Sequence, residues 1–455
     1  MSVLDKIREA GVVGVGGAGF PTHMKYKSNV PTPIEHLIIN AAECEPLLKT
    51  DQYNMRHHAQ EVVKAVSIIK ETLGATNAII ATKRYYTQEV LCLRAAIEGL
   101  DADVSLHLLD NYYPSGDEFL LVYEITGKRV PPMGIPLMVG CVVSNVSTML
   151  NVYHAVTSDR AVTHKRITVT GHLNSPTLLE VPVGTSFETC VQAAGGTTLD
   201  DYLFIDGGPM MGSRHTKEEL AGRVVSKRTS AIIVVPNEGK LKQNMELSLD
   251  DLMGQAEDSC IGCSLCTDIC PRQMVGHKIF PDRVMNYFGQ NPNKEVVDTE
   301  VLHGALLCYS CAVCETIACP RGLSPKKINL HVKKVFREKG ITYKPSQTEE
   351  LMLPPDTLRD VKAVTPHNIL IKMGLLPYTK HKMDTLKTIT VDEVFVPLDM
   401  HVGAASIPKV EVGDNVVQGD VIAVAPTADT LGSNIHASIS GVVKDVSKTH
   451  IHITI

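Results

Sequence analysis

From Pro33 onward, short apolar runs alternate with stretches whose apolar residues recur every three or four positions. His36–Ile39 predicts a strand. Met55, Ala59, Val62, Val66, Ile69 and Leu73 then fall on one face of a single long helix. Asn77–Ala81 reads as a strand, Gln88–Ile97 as a helix and Val104–Leu109 as a strand again. This β-α-β-α-β rhythm predicts a parallel sheet with crossover helices, which binds ligands beyond the carboxyl ends of its strands. Ahead of it, Leu4–Ala10 has helical spacing. From Arg166 to Val235 the pattern changes to strands around one short helix. A polar stretch bearing Lys and Pro (341–387) predicts a linker, and Val394–Ile455 is rich in β-type alternation. The fold class expected is therefore multidomain α/β.

Composition narrows this picture. The chain has 455 residues, 44 of them basic and 50 acidic, for a net charge of −6. That length calls for two to four domains at roughly 100–200 residues each. A mild acidic balance argues against nucleic acid as a partner, since no concentrated basic face is available. The N-terminal MSVLDKIREAG lacks the apolar core of a signal peptide. The most apolar stretch, Pro131–Leu150, is interrupted by Pro, Gly, Ser and Asn, so no transmembrane segment is expected. Twelve cysteines in such a chain point to a reducing compartment, where clustered thiols mean metal or redox chemistry.

Eight of those cysteines lie in two runs. The first is Cys260-x2-Cys263-x2-Cys266-x3-Cys270-Pro271, and the second is Cys308-x2-Cys311-x2-Cys314-x4-Cys319-Pro320. These are the spacings of bacterial-type ferredoxins with two [4Fe–4S] clusters, and a triple C-x2-C-x2-C suits a single zinc ion poorly. In modules of this kind the fourth ligand comes from the other run. Cys260, Cys263, Cys266 and Cys319 are thus expected on one cluster, and Cys308, Cys311, Cys314 and Cys270 on the other. The second run carries one extra residue before its last cysteine.

Two segments of the N-terminal half are candidate ligand contacts. Gly14-Val-Gly16-Gly17-Ala18-Gly19-Phe20-Pro21-Thr22 exposes backbone amides to an anion, with Pro21 placed to start a helix facing it, or it is simply a flexible turn. Asn40-Ala-Ala-Glu43-Cys44-Glu45-Pro46 puts two carboxylates at a strand's carboxyl end, suited either to a ligand's ring edge or to solvent.

Together these segments resemble the flavin- and NADH-binding subunit of respiratory complex I and the C subunit of the Rnf electron-transport complex. Tyr113-Pro-Ser-Gly116-Asp117-Glu118 is similar to that family's glycine–acidic loop, and Val143-Ser144-Asn145-Val146-Ser147-Thr148 to its flavin-phosphate loop. The resemblance implies that Gly16, Gly17, Gly19 and Lys25 line a nucleotide pocket. It also implies that Asn40, Glu43, Gly116 and Glu118 touch FMN, and that Ser144, Asn145 and Thr148 hold its phosphate. Glu43 and Glu45 are the residues it assigns to chemistry on NADH. Cys44 departs from the complex I pattern, which has Gly there, and agrees with the Rnf branch.

Extended along the chain, the resemblance implies a Rossmann-like FMN/NADH domain over residues 1–160 and a β-grasp domain over 161–240. A ferredoxin-like module over 250–340, a linker over 341–393 and a barrel-sandwich domain of the biotinyl/lipoyl type over 394–455 complete it. The stretch joining the halves of that last domain, Pro426–Asn434, has no lysine to carry a swinging arm. A β-domain that closes the chain is similar to the order in the cobalamin reductases of propanediol-utilisation microcompartments. That family implies FMN and two [4Fe–4S] clusters as cofactors and NADH as donor. It also implies a corrinoid as acceptor, a corrinoid adenosyltransferase and shell proteins as partners, and a cytoplasmic microcompartment as location. The alternatives are an Rnf-like electron-entry subunit and a docking protein with structural clusters. Among other residues, His57-His58, His450 with His452, and Asp399-Met-His401-Val-Gly403 read as non-metal features. Lys326-Lys327 with Lys333-Lys334 reads as a solvated helix face.

Overall fold

The computed structural model describes residues 1–27, 32–291, 293–342, 352–427 and 430–455. Part of the expected linker (343–351) and part of the lysine-free connection (428–429) lie outside the described residues. Strands β1 (His36–Ala41), β2 (Asn77–Lys83), β3 (Ser105–Leu109) and β4 (Cys141–Asn145) form a parallel sheet of order β3-β2-β1-β4. Leu37, Ile38 and Ile39 are each fully buried, as expected of a central parallel strand covered on both faces. The chain leaves β1 toward β2 and returns on its other side as β4. The crevice at the carboxyl ends of β1 and β4 is therefore the switch point where open α/β sheets bind ligands.

The long helix predicted after β1 is two helices, Thr50–His57 and Ala59–Leu73. His58 leaves helical geometry at φ −130°, and its ring bonds Glu61 at 2.6 Å, so the apolar stripe survives across a bend. His57 and His58 therefore do not share a helix, and His57 stacks on Tyr53.

A second, mixed sheet contains β5 (His164–Gly171), β6 (Thr177–Pro182), β7 (Tyr202–Asp206), β8 (Ser213–Thr216), β9 (Ala231–Pro236) and β10 (Leu386–Thr388). Its order is β10-β6-β5-β9-β7-β8. The edge strand β10 comes from the segment expected to be a linker. That segment also carries the helix Pro366–Met373, whose Ile369, Leu370 and Met373 share a core with Tyr113, Leu203 and Cys311. Its polar surface masked this apolar stripe; it straps three parts of the chain together.

The C-terminal region is a sandwich of two small sheets. One is ordered β11 (Glu393–Pro397), β17 (His450–Thr454), β16 (Gly441–Val446), β13 (Asn415–Val416); the other β12 (Ile407–Pro408), β14 (Val421–Val424), β15 (Ile435–His436). It packs behind the glycine-rich loop, where Val402 donates to the Gly19 carbonyl at 2.9 Å. Buried Lys227 ties the Gly11 and Asn434 carbonyls at 2.7 and 2.8 Å. His401 is buried on Ser406 and His452 stacks on Phe395, both packing roles. No helix among the described residues is long and apolar enough to cross a membrane.

Candidate functional site

The crevice at β1 and β4 collects most of the expected ligand contacts. Asn40 and Asn145 are register partners across the two strand ends. The Asn40 amide donates to the Gly116 carbonyl at 2.8 Å. A Cβ on Gly116 would meet Asn40 at 3.0 Å and the Cys44 sulfur at 3.2 Å, so glycine is needed for this approach. Lys25 pairs with Glu118 at 3.0 Å, and Ser144 bonds the Tyr26 hydroxyl at 2.8 Å. Thr148 accepts the Val15 amide at 3.1 Å, which fastens the glycine-rich loop to the helix Val146–Ser158. Asn145 caps that helix with its side-chain oxygen. Gly16, Gly17 and Ala18 are exposed over this corner, and Gly17, at φ +100°, has open space where a side chain would be.

Three expectations change here. Gly19 does not face the crevice: a Cβ on it would lie 2.5 Å from Arg228, so it backs the loop against the neighbouring sheet. The helix after Pro21 presents no free first amide, because Thr22 donates to the Val12 carbonyl. Glu45 engages both carboxylate oxygens with protein donors, the amides of Met210 at 2.9 Å and Met211 at 3.0 Å. It clamps the 207–212 loop instead of standing free at the crevice.

Glu43 is placed differently. Its backbone is left-handed, at φ +37°, and its carbonyl accepts the Tyr86 hydroxyl at 3.1 Å. Its carboxylate takes the Asp51 amide at 2.7 Å. Asp51 is the residue the sequence did not reveal. Buried, it accepts from the Asn145 amide at 2.8 Å and from the Ser147 hydroxyl, so it holds the β4 loop and the Glu43 loop together. Its only signal was an acidic side chain in a helix's first turn. Burial, reinforced by the Asp51 charge, pushes Glu43 up to about 8, and burial pushes the Cys44 thiol up to about 12. The sulfur thus stays protonated.

The Glu43 shift has a measurable consequence. Between the usual carboxyl range and about 8 the folded chain keeps a proton that the unfolded chain has lost, so stability falls as pH rises through that window. Flavin-free protein is expected to melt lower at about pH 8.5 than at about pH 6, with Glu43→Gln flattening the slope. Equal slopes in both proteins would remove Glu43 as the cause.

The eight cysteines form two sets of four. Cys260, Cys263, Cys266 and Cys319 line one cavity together with Ile261, Met285 and Leu323. Cys270, Cys308, Cys311 and Cys314 are buried as a second set; burial, then mutual proximity, raises the thiols of Cys311 and Cys314. The backbone repeats between the runs. Gly262 and Ser264 in the first, and Ser310 and Ala312 in the second, all have φ between +60° and +73°. Three of these are not glycine, a strain of about 1–2 kcal/mol each that persists only where surroundings impose it. Left-handed residues at every second position curl the backbone so that its amides can form an anion-binding hollow of the kind found at iron–sulfur sites. Donor set and backbone both fit cubane clusters. The extra residue before Cys319 is absorbed by a π-type turn over Cys314–Ala318, in which the Cys319 amide donates to the Cys314 carbonyl at 3.1 Å.

Of the lysines after the second run, Lys334 is exposed as expected, but Lys326, Lys327 and Lys333 do not form a solvated face. Lys326 pairs with buried Glu315 at 2.6 Å, Lys327 bonds the Asn244 carbonyl, and Lys333 the Cys308 carbonyl at 2.8 Å. Packing of the helix Pro325–Glu338 against the cysteine loops turns them inward.

Comparison with known proteins agrees with this layout. Family models match for the Nuo51 FMN-binding domain (7–154), the SLBB domain (166–213), a 4Fe-4S dicluster domain (259–324) and the RnfC barrel sandwich hybrid domain (371–454). A solved chain of an NAD+-reducing [NiFe]-hydrogenase shares the fold, with TM-score 0.50 and 20% identity over 80% of this chain and 67% of that one. The C subunit of a proton-translocating ferredoxin:NAD(+) oxidoreductase complex from Clostridium ljungdahlii is 32% identical over 60% of this chain and 56% of its own. Cobalamin reductase PduS of Citrobacter freundii is 37% identical, covering 99% of this chain and 96% of that protein, and PduS of Salmonella typhimurium is 36% identical over 99% and 95%. With such identity over nearly the whole of both chains, and with flavin and iron–sulfur modules in the same molecule, this chain is an oxidoreductase that belongs to the PduS cobalamin reductase family.

Proposed function

We propose that this protein oxidises NADH and passes electrons singly, through FMN and two [4Fe–4S] clusters, to cob(III)alamin or cob(II)alamin. The observation that carries the reading is a buried contact between its two halves. The Tyr113 hydroxyl, from the loop beside the flavin crevice, donates to the Cys311 carbonyl of the second cysteine run at 2.9 Å. The 113–118 loop and the second cysteine run are thereby held as neighbours, which supports electron transfer between them over merely structural clusters.

FMN, when bound, accepts the two electrons of a hydride and releases them one at a time. The chain's own residues supply the rest. Gly16 and Gly17 would give backbone access, Ser144, Asn145 and Thr148 would hold the FMN phosphate, and Asn40, Gly116 and Glu118 would contact the flavin, with Lys25 paired to Glu118. Glu43 stands at the same strand end as a buried carboxyl able to hold or release a proton near neutral pH. Glu45 positions the 207–212 loop over this corner. Cys260, Cys263, Cys266 and Cys319 hold one cluster, and Cys270, Cys308, Cys311 and Cys314 the other.

The reading places the protein in a propanediol-type microcompartment, where a corrinoid adenosyltransferase consumes its reduced product and shell proteins surround it. The test is anaerobic NADH oxidation by reconstituted protein with hydroxocobalamin or ferredoxin as acceptor. Faster reduction of hydroxocobalamin is expected. Preference for ferredoxin would assign the chain to Rnf-like electron entry, and no NADH oxidation with either acceptor would overturn the reading.

A further inference from the structure

Arg272 follows the cluster cysteine Cys270 by two residues and is almost entirely buried, at 7% exposure. Its guanidinium donates to the Asp117 carboxylate at 2.7 Å. It also lies 3.6 Å from the centre of the Phe119 ring and 4.3 Å from that of Tyr309. Asp117 comes directly after Gly116 of the flavin loop, and its other oxygen caps the helix Glu118–Thr126 by accepting the Phe119 and Leu120 amides. Tyr309 sits between Cys308 and Cys311. Among the described residues its buried hydroxyl meets no nitrogen or oxygen but bonds the Cys311 thiol, and the Arg272 Nε is buried without a partner.

One cation thus touches the flavin loop on one side and the cysteine loop on the other. Burying an Arg–Asp pair is a poor route to stability, since well-packed apolar residues of similar size serve as well or better. The Tyr309 hydroxyl already reaches the Cys311 thiol, and a cluster on these thiols would offer an acceptor to the unpartnered Arg272 Nε as well. Lys333, bonded to the Cys308 carbonyl, adds a second cation on the same cluster. The other cysteine set has a different setting: Cys263 is exposed, and its cavity is lined by Asp282 as well as Arg321, with no buried cation between it and the flavin loop among the described residues.

We propose that Arg272 is the positioning residue for electron entry. It fixes the 113–118 loop against the cluster of Cys270, Cys308, Cys311 and Cys314, and its charge makes that cluster the first acceptor from the flavin. The set with exposed Cys263 is then the exit. This rests on the flavo-iron–sulfur reading above. In the step itself one electron leaves the reduced flavin and enters the cluster, changing one ferric equivalent to ferrous. No bond forms or breaks at the cluster, and the proton left on the flavin passes to solvent. Arg272 offsets the negative charge gained.

The test compares reconstituted holoprotein with Arg272→Gln and Arg272→Lys. Anaerobic stopped-flow with NADH resolves flavin bleaching from cluster reduction, and EPR-monitored titration gives each cluster's potential. Arg272→Gln is expected to slow cluster reduction about tenfold relative to flavin bleaching measured in the same protein. It should also lower one of the two potentials, by about 59 mV for a tenfold loss in the one-electron flavin-to-cluster equilibrium. Arg272→Lys, keeping charge without the forked geometry, should hold the potential nearer wild type while electron entry stays slow. If either variant retains both clusters with unchanged potentials and an unchanged cluster-reduction rate, the proposal is overturned. Should Arg272→Gln lose iron, Arg272→Lys alone decides it by the same two readings. Absence of flavin bleaching in wild type would instead sink the underlying functional reading.

Discussion

Cys270→Ala is expected to abolish the same iron–sulfur signal as Cys311→Ala, and Cys319→Ala the same signal as Cys263→Ala. Each variant, reconstituted anaerobically, should hold about four irons per chain where wild type holds about eight. The pairing follows from the two sets the fold assembles. Cys319 lines a cavity with the first run's three leading thiols, and Cys270 is buried with the second run's. In each run the left-handed residues curl the loop around its first three cysteines, while the Cys-Pro end is carried off by the following helical turn toward its counterpart. EPR of the dithionite-reduced variants checks this. If Cys270→Ala removed the signal lost in Cys263→Ala, each run would close on its own cluster, and the route drawn through Arg272 would need redrawing.

Gly17→Val is expected to purify with at most about a tenth of the wild-type flavin, a loss of about 1.4 kcal/mol or more in binding. Two effects add. Valine is strained at φ +100°, and its side chain would project into the space above the β1–β4 crevice that is open in the structure. The neighbouring Gly19 gives the control. There an added Cβ meets Arg228 at 2.5 Å, so Gly19→Ala should lower the melting temperature of the flavin-free protein while leaving flavin content far less affected than Gly17→Val, whose own melting temperature falls through backbone strain alone. Flavin content after gel filtration and thermal melting of stripped protein separate the two outcomes. Full flavin occupancy in Gly17→Val would displace the glycine loop from the cofactor site.

These predictions draw on features of different legibility. The parallel strands and the flanking helix Thr87–Gly99 were readable because an apolar run buried on both faces leaves an unbroken signal. The cysteine runs were readable because ligand spacing is a local property. Lys326, Lys327 and Lys333 were misread for the opposite reason. A charge looks solvated until the partner that neutralises it, here Glu315 or a loop carbonyl, is brought up from elsewhere. Asp51 escaped notice likewise. Its importance lies in holding Asn145 and Ser147, nearly a hundred residues away, and no local pattern encodes that. The break at His58 was invisible because the apolar stripe continues through it.

By itself the sequence determined the order of modules, the two spaced cysteine runs and the loops that crowd the β1–β4 crevice. All three are written in periodicity or in short motifs. Tertiary structure decided how these parts are joined: Glu45 as a clamp, Gly19 as a packing surface, the supposed linker as a strap through β10 and Pro366–Met373, and Arg272 between the flavin loop and the cysteines. The reason is physical. A buried charge, or a glycine forced by close approach, takes its meaning from atoms distant in the chain, and only the folded packing puts those atoms within reach.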